Sequence, residues 1–168
     1  LLSRGLGDVY KRQLHYSMKW VSGNVLVEQE LEYIKNYMAL INLRFDYEIY
    51  LSLNLPEIIL QQEIPKMSLQ PIVENAIYHG IEQMAEDTNI YIKGRVEGND
   101  CVIEITDAGR GMTEEEVAQL RQKIAGELDS SGGSGNGIGL KNVQDRIQIA
   151  FGGAYGIEVA SQIGCYTK

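Results

Sequence analysis

The sequence predicts an α+β fold with one mixed, mostly antiparallel sheet that carries its helices on one face. Segments whose apolar residues recur every three or four positions alternate with segments in which every second residue is apolar. Their order is helix, strand, helix, two strands, helix, loop, helix and strand, without an internal repeat. The chain has 168 residues, of which 44% are hydrophobic, so it is long enough for one domain with a substantial core.

Composition narrows the classes of function. The net charge of −8 argues against sequence-independent binding of nucleic acid, which needs a basic surface. A polyanionic ligand would therefore have to be held locally, by backbone amides or a metal ion. Cys101 and Cys165 lack metal-ligand spacing, and Cys101 is predicted to be a buried thiol in a strand, in a reducing compartment. No apolar run approaches the ~20 residues that would span a bilayer.

The N-terminal part contains one long amphipathic helix. Residues 1–13 show no period and are interpreted as a cloning or sequencing scar, or a linker, outside the folded domain. Residues 14–45 are predicted as a leading helical segment, with an apolar stripe of Leu31, Ile34, Met38, Ile41 and Phe45. Residues 46–168 are predicted as the main domain, whose first strand, at 47–55, is ended by Pro56.

A second helix and a hairpin follow. The spacing of apolar residues predicts a helix over 70–80, with Pro71 in the first turn, where a missing N–H costs little. Strands are predicted at 89–98 and 100–109, and Gly98-Asn99 between them indicates a hairpin turn.

The C-terminal part is predicted as two helices, a loop and a strand. Thr113 and Glu116 form a capping box for a helix that extends to about Ile124. Residues 126–137 are rich in Gly and Ser and predict a flexible loop. The next helix, ended by Gly152-Gly153, is expected to direct inward Leu140, Val143, Ile147 and either Ala150 or Phe151. The last predicted strand covers 154–161.

Three polar residues stand out on the predicted 70–80 helix. Asn75 offers an amide oxygen that suits a hydrated Mg²⁺, a hard cation that prefers oxygen ligands. Glu74 could accept a proton or orient that hydration shell, and His79, one turn later, could donate to a phosphate. The simpler interpretation is that all three are solvated polar residues on a core helix. For this helix taken alone, the simpler interpretation is favoured.

Two glycine-containing segments carry further signals. In 107–112, Asp107 stands at a strand end before Gly109 and Gly111, where a carboxylate could accept a hydrogen bond from an exocyclic amine such as that of adenine. The alternative is a tight turn. In 135–140, glycines open a helix whose free N–H groups suit phosphate oxygens, or they form a simple linker. The ordered combination of all three segments favours a nucleotide site over three independent structural coincidences.

At this point the sequence resembles the GHKL ATPase superfamily, and within it the catalytic and ATP-binding domain of LytS/YehU-type sensor histidine kinases. "PKMSLQPIVENAIYHGI" is similar to the N box of that family. "ITDAGRGM" is similar to the G1 box, in which Asn is more usual than Ala108, and "GNGIGLKNVQDRI" to the G2 box with its N-x-x-x-R helix. "LVEQELEYIKNYMALINLRF" is similar to the helix that leads into the domain.

The resemblance implies a Bergerat-type two-layer α/β sandwich that binds ATP and Mg²⁺, with residues 112–136 as the ATP lid. It implies that Asn75 coordinates Mg²⁺, that Asp107 binds the adenine amine, and that Glu74 and His79 are the catalytic candidates. The remaining nucleotide contacts implied are Gly109, Gly111, Met112, Gly137, Ile138, Gly139, Leu140, Asn142 and Thr167. Gly109 and Gly111 would let the nucleotide lie close to the backbone.

Departures from the pattern refine the expected reaction. Relatives that hydrolyse ATP with water often carry Glu four residues before the metal-binding Asn, and here that position is Pro71. Phosphoryl transfer to a protein acceptor is therefore expected rather than hydrolysis. His15 lies where the pattern more often has Arg and is not interpreted as the phosphoacceptor. The chain ends "SQIGCYTK", where relatives usually have G-x-G-T and a final strand, so a C-terminal truncation is expected.

The resulting hypothesis is that the chain is the ATP-binding domain in the cytoplasmic region of a sensor histidine kinase. Its expected partners are a phosphoacceptor His helix of the same kinase, dimeric at full length, and a response regulator. Nucleic acid and direct membrane contact are not expected. The alternatives are a GHKL ATPase or serine kinase of another branch, and a non-enzymatic interaction module with a decayed nucleotide pocket.

Overall fold

The computed structural model describes residues 23–82, 84–127 and 137–168. Its helices are α1 (Val27–Asn42), α2 (Glu57–Leu60), α3 (Gln70–Asn75), α4 (Glu114–Ala125) and α5 (Ile138–Phe151). Its strands are β1 (Asn24–Leu26), β2 (Ile49–Asn54), β3 (Glu63–Pro65), β4 (Thr88–Glu97), β5 (Asp100–Asp107), β6 (Ser161–Gln162) and β7 (Tyr166–Thr167).

The main sheet has five strands in the order β2-β4-β5-β7-β6. Strands β2 and β4 are parallel, and the other three neighbouring pairs are antiparallel. The predicted mixed, mostly antiparallel sheet is therefore confirmed. Strands β4 and β5 form the predicted hairpin around residues 98–99. Burial alternates along β4, with Ile90 and Ile92 fully buried and Tyr91 39% exposed, as expected for a sheet that carries its helices on one face.

Helix α1 supplies a large part of the core. Leu31, Ile34, Met38 and Ile41 are all buried, as their helical spacing predicts, and Phe45 packs partly buried against them beyond the end of the helix. The main cluster joins this stripe to apolar residues of α3, β2 and β4. A small separate pairing of β1 with β3 brings the start of α1 next to the segment that precedes α3.

Helix α3 departs from the predicted regular geometry after Asn75. It continues directly as a π-helical segment, Ala76–Ile81, in which the N–H of Glu82 donates to the carbonyl of Ile77 at 2.8 Å. The apolar side stays buried, with Val73, Ala76, Ile77 and Ile81 in the core. Because i→i+5 bonding widens the turn, the regular α-helical geometry predicted over 70–80 does not hold for the residues after Asn75.

The two C-terminal helices largely follow their sequence patterns. Helix α4 begins with the predicted capping box, in which the N–H of Glu116 donates to Thr113 Oγ1 and the N–H of Thr113 donates to Glu116. In α5, Leu140 and Val143 are buried as predicted. The expectation that the last turn also faces inward is wrong, because Ala150 is exposed and Phe151 is 41% exposed.

The predicted strand over 154–161 is also wrong in most of its length. Only Ser161–Gln162 forms a strand, because side chains of the helices bind the backbone before it. The N–H of Ile157 donates to Gln144 Oε1 at 2.6 Å, and Arg121 donates to the carbonyl of Val159 at 2.6 Å. Strand β7, which the sequence did not predict, lies between β5 and β6.

Three smaller points complete the comparison with the sequence. Cys101 lies in β5 as predicted, but its side chain is exposed rather than buried. Most of the predicted Gly/Ser loop, 128–136, and the N-terminal segment 1–13 lie outside the described residues. Within the described ranges, no helix is both long and apolar enough to cross a membrane.

The packing of α1 gives a first prediction. Replacing Ile34, which is fully buried, with Ala should lower the free energy of unfolding by about 2–5 kcal/mol, because it leaves a cavity between α1 and the sheet. Urea unfolding followed by circular dichroism measures this change. Leu43→Ala, at a residue that is 65% exposed, is the control and should change stability by less than about 0.5 kcal/mol. Equal effects of the two substitutions would show that α1 is not part of the core.

Candidate functional site

A nearly buried carboxylate stands at the end of β5. Asp107 is 3% exposed, and its Oδ1 accepts a hydrogen bond from the N–H of Gly109 at 2.9 Å. Its other oxygen, Oδ2, has no hydrogen-bond partner among the described residues. Burial raises the pKa of Asp107 to about 6, and the hydrogen bond from Gly109 opposes that rise. A buried carboxylate with an unused acceptor atom is costly unless a donor from outside the chain completes it.

Two glycines bring the π-helical segment against this carboxylate. A Cβ at Gly80 would lie 2.6 Å from Asp107 Oδ1, and a Cβ at Gly109 would lie 2.5 Å from the backbone of Gly80. The N–H of Arg110 donates to the carbonyl of Gly80 at 3.1 Å. The backbones therefore meet at a distance that only glycine permits. Gly80 was missed in the sequence interpretation, although a glycine at the end of the predicted helix was the available signal.

The turn after β5 also rests on the β6–β7 hairpin. Gly111 has φ +67°, and a Cβ there would collide with the carbonyl of Gln162. The N–H of Met112 donates to Ser161 Oγ at 2.8 Å, and Ser161 Oγ lies 2.9 Å from Thr167 Oγ1. Thr167 is the register partner of Asp107 on the adjacent strand. In the structure, Gly109 and Gly111 thus lie close to protein backbone. Packing within the chain therefore requires glycine at both positions, a reason that the sequence interpretation did not include.

Asn75 and Glu74 lie at the junction of α3 with its π-helical extension. The half-buried Asn75 side chain has no hydrogen bond to another described residue, so both its amide oxygen and its amide nitrogen are available. Glu74 Oε1 accepts from Gln70 Nε2 at 3.2 Å. Burial raises the pKa of the Glu74 carboxyl, and the hydrogen bond from Gln70 opposes this. A raised pKa is the direction that a proton-accepting carboxylate needs near neutral pH.

His79 lies in the π-helical segment beside Arg110. Burial lowers the pKa of His79, the charge of Arg110 lowers it further, and the charge of Glu82 opposes both. The guanidinium of Arg110 donates to the carbonyl of His79 at 3.2 Å and to Glu116 of α4 at 3.2 Å. Arg110 therefore joins α4 to the turn and to the π-helical segment, a role that the sequence did not indicate.

The start of α5 lies next to α3. Gly137 precedes the helix with φ +105°, and a Cβ at Gly139 would approach Pro71 Cβ at 3.9 Å. The first-turn N–H groups of α5, at Ile138, Gly139 and Leu140, have no acceptor within the helix and suit an anion. The side chain of Leu140 is 5% exposed and belongs to a second core cluster with Ile124, Val159, Ile72 and Met112. Only the backbone N–H of Leu140 is therefore available to bind an anion. Asn142 is exposed on the next turn.

The described residues fit an adenine nucleotide with a divalent cation. Asp107 offers an unpaired acceptor of the kind that an exocyclic amine requires. Asn75 offers an amide oxygen that has no hydrogen-bond partner among the described residues. Mg²⁺ keeps most of its water ligands and can take such an oxygen as a ligand together with phosphate oxygens. No three His, Cys, Asp or Glu side chains among the described residues converge as a metal site of their own.

Comparison with protein families agrees with this geometry. Residues 65–168 match the family profile of histidine kinase-, DNA gyrase B-, and HSP90-like ATPases. The chain belongs to this ATPase family. The match includes every predicted site residue, from Glu74 to Thr167. The resemblance to the GHKL superfamily is thereby confirmed.

Individual relatives are sensor kinases. The chain is 31% identical over 152 residues to the sensor histidine kinase BtsS of Escherichia coli, covering 90% of this chain and 24% of that protein. It is 29% identical over 157 residues to the sensor histidine kinase YesM of Bacillus subtilis, covering 94% of this chain and 24% of that protein. It therefore spans about a quarter of the length of these curated relatives.

A solved structure supports the fold. The histidine kinase domain of the blue-light activated histidine kinase from Erythrobacter litoralis EL346 matches with a TM-score of 0.53 and 13% identity. The match covers 85% of this chain and 58% of that one. At this identity the likeness concerns the fold alone, and it agrees with the predicted Bergerat-type sandwich.

The burial of Asp107 predicts a distinctive pH dependence of stability. A carboxyl whose pKa rises from 3.8 to about 6 on folding stabilises the folded chain below pH 4 and loses that contribution as the pH rises through 6. The rise is worth about 3 kcal/mol. Between pH 4 and pH 7, Asp107→Asn should therefore gain about 3 kcal/mol of unfolding free energy relative to the unsubstituted chain.

Urea unfolding of both proteins at several pH values measures this difference, and their shared titrations cancel. Asp145→Asn, at a half-exposed carboxylate beside Lys141, is the matched control and should give a nearly constant difference. A constant difference for Asp107→Asn as well would mean that Asp107 is not buried as described.

Proposed function

We propose that the chain is the ATP-binding domain of a sensor histidine kinase, and that it presents Mg-ATP for phosphoryl transfer to a His on a dimerisation helix. The observation that carries this proposal is Asp107, which is almost fully buried with one carboxylate oxygen lacking a protein donor. The family match and the kinase relatives support the ligand class.

Recognition of the base follows from the chemistry of Asp107. An ionised carboxylate only accepts hydrogen bonds, so Asp107 pairs with the exocyclic amine of adenine and repels a carbonyl at the same place. Gly109, Gly111 and Met112 shape the turn that holds this carboxylate, and Thr167 stands beside it on β7. A base with a carbonyl at this place leaves the Asp107 carboxylate without the donor that the amine of adenine supplies.

The phosphates are proposed to lie between α3 and the start of α5. Asn75 would hold Mg²⁺, which supplies charge neutralisation for the phosphate oxygens. The backbone N–H groups of Ile138, Gly139 and Leu140, opened by Gly137, would bind these oxygens, with His79 and Asn142 as outer contacts. The overall charge of −8 disfavours the approach of a polyanion at long range, so the favourable contacts have to be local, as they are in this arrangement.

Transfer to a protein acceptor is preferred to hydrolysis. Pro71 occupies the position at which water-activating relatives carry Glu, and a proline side chain cannot accept a proton. Glu74, whose pKa burial raises, is proposed to orient the hydration shell of the metal or accept a proton from it. Catalysis then rests on positioning and on electrostatic stabilisation of the transferring phosphoryl group. A cytoplasmic setting, a dimeric full-length kinase and a response regulator as phosphate acceptor belong to the same proposal.

Base selectivity gives a direct test. At pH 7.5 the chain should bind Mg-ADP more tightly than Mg-IDP by roughly 10–100-fold, because the carbonyl of hypoxanthine cannot donate to Asp107. Asp107→Asn should reduce this preference to within about threefold, since an amide can donate as well as accept. Isothermal titration calorimetry measures both affinities, and Asp145→Asn should keep the preference. Absence of binding by either nucleotide would favour a decayed module, and equal binding by the unsubstituted chain would place base recognition elsewhere.

Phosphoryl transfer gives a second test. Incubated alone with γ-labelled ATP, the chain should acquire no stable label, because neither of its histidines, His15 and His79, is the proposed acceptor. Acid-labile and acid-stable phosphate on the protein are measured separately after gel filtration. Protein-bound, acid-labile label that survives His79→Gln but disappears with His15→Gln would overturn the proposal that the acceptor lies on a separate helix.

A further inference from the structure

A second buried carboxylate, Glu30 of α1, caps the segment that leads into α3. Glu30 is 2% exposed, and its Oε1 accepts from the N–H groups of Met67 and Ser68, the latter at 3.2 Å. Its Oε2 accepts from the N–H of Leu69 at 2.8 Å. No side chain adjacent to α3 caps the helix, so this carboxylate, 39 residues upstream of Leu69, satisfies N–H groups at its start.

The carbonyl groups of the same segment are bound by a residue of a different helix. Arg146 of α5 donates through Nη1 to the carbonyl of Lys66 and through Nη2 to the carbonyl of Met67, the latter at 2.8 Å. Met67 has φ +61°, a left-handed conformation that a residue with a side chain rarely adopts. The segment 66–69 is thus fixed by α1 on its N–H side and by α5 on its carbonyl side, and we call it the clasped segment.

The clasped segment connects the two helices that border the proposed phosphate site. It continues directly into α3, which carries Asn75 six residues after Leu69. Arg146 lies two turns beyond the first turn of α5, whose backbone N–H groups face the phosphates in the proposed function. A rigid link between these helices fixes the distance from Asn75 to the first turn of α5, as outer contacts fix the ligands of a metal site.

We propose that Glu30 and Arg146 are positioning residues that set the place of Asn75 relative to α5 through the clasped segment, and so control the Mg²⁺-dependent part of nucleotide affinity. The inference rests on the proposed nucleotide function. Neither residue touches the nucleotide in this arrangement. Adenine recognition by Asp107 depends instead on the contact of Gly80 with β5, at the far end of the π-helical segment.

The test compares binding of ADP with Mg²⁺ to binding of ADP with EDTA, using calorimetry on the full chain. The ratio of the two affinities reports on Asn75, and Asn75→Ala gives the ratio for a lost ligand. Glu30→Gln and Arg146→Gln should each lower this ratio by roughly tenfold while changing the affinity in EDTA much less. The double variant should lose less than the product of the single losses, because both residues act through one segment.

Two matched controls use the same substitutions at exposed ion pairs. Glu32→Gln, two residues after Glu30 on α1, removes only a surface contact with Lys35. Arg95→Gln on the hairpin removes surface ion pairs with Glu97 and Glu104. Both should keep the ratio of the unsubstituted chain. Variants of Glu30 or Arg146 that are folded and keep that ratio within twofold would overturn the inference, as would losses that multiply independently.

Amide hydrogen exchange provides a readout that needs no nucleotide and tolerates a destabilised variant. Arg146→Lys, a milder change, should raise exchange at residues 67–75 more than at the β4–β5 hairpin, because one carbonyl contact is lost. Uniform change across both regions would overturn the inference. If the unsubstituted chain binds no ADP, the proposed function fails, and the exchange experiment still decides whether the clasped segment is held as described.

Discussion

The site depends on one close contact between backbones, where Gly80 meets Gly109 beside Asp107. A Cβ on either glycine would lie within about 2.6 Å of an atom across this contact, so only the absence of both side chains lets the helix reach the sheet. The π-helical segment delivers Gly80 to this point, and the N–H of Arg110 then bonds its carbonyl. The acidic group and the helix that carries Asn75 are thus fixed in one frame.

The second half of the frame comes from the C-terminal hairpin. Strand β7 pairs Thr167 with Asp107, while Ser161 accepts from the N–H of Met112 and lies against Thr167. The turn after β5 is therefore held from the helix side by Gly80 and from the sheet side by β6 and β7. The β6–β7 hairpin also binds the turn through the N–H of Gly164, which donates to the carbonyl of Arg110 at 2.6 Å, and it is closed by the bond from Ser161 Oγ to the carbonyl of Tyr166.

Periodicity was sufficient to predict the buried faces of α1 and β4, because burial of Leu31, Ile34, Ile90 and Ile92 follows spacing along one element. The motifs predicted the family, because the order and spacing of their residues can be recognised in the sequence alone. What failed depends on contacts between distant residues. The hydrogen bonds of Gln144 and Arg121 replace strand pairing near Val159. The close contact of Gly80 with β5 accompanies the π-helical turn. No local pattern contains these interactions, so sequence reasoning assigned a strand and a regular helix instead.

The two buried carboxylates show how structure separates a binding group from a structural one. Glu30 accepts hydrogen bonds from three backbone N–H groups through both of its oxygens, so burial is compensated within the chain. Asp107 receives one such bond and keeps an oxygen without a partner, although it is equally buried. Burial raises the pKa of both, but in Glu30 several backbone donors oppose the rise. The incomplete shell of Asp107 is what a nucleobase amine would complete, while the complete shell of Glu30 marks it as part of the scaffold.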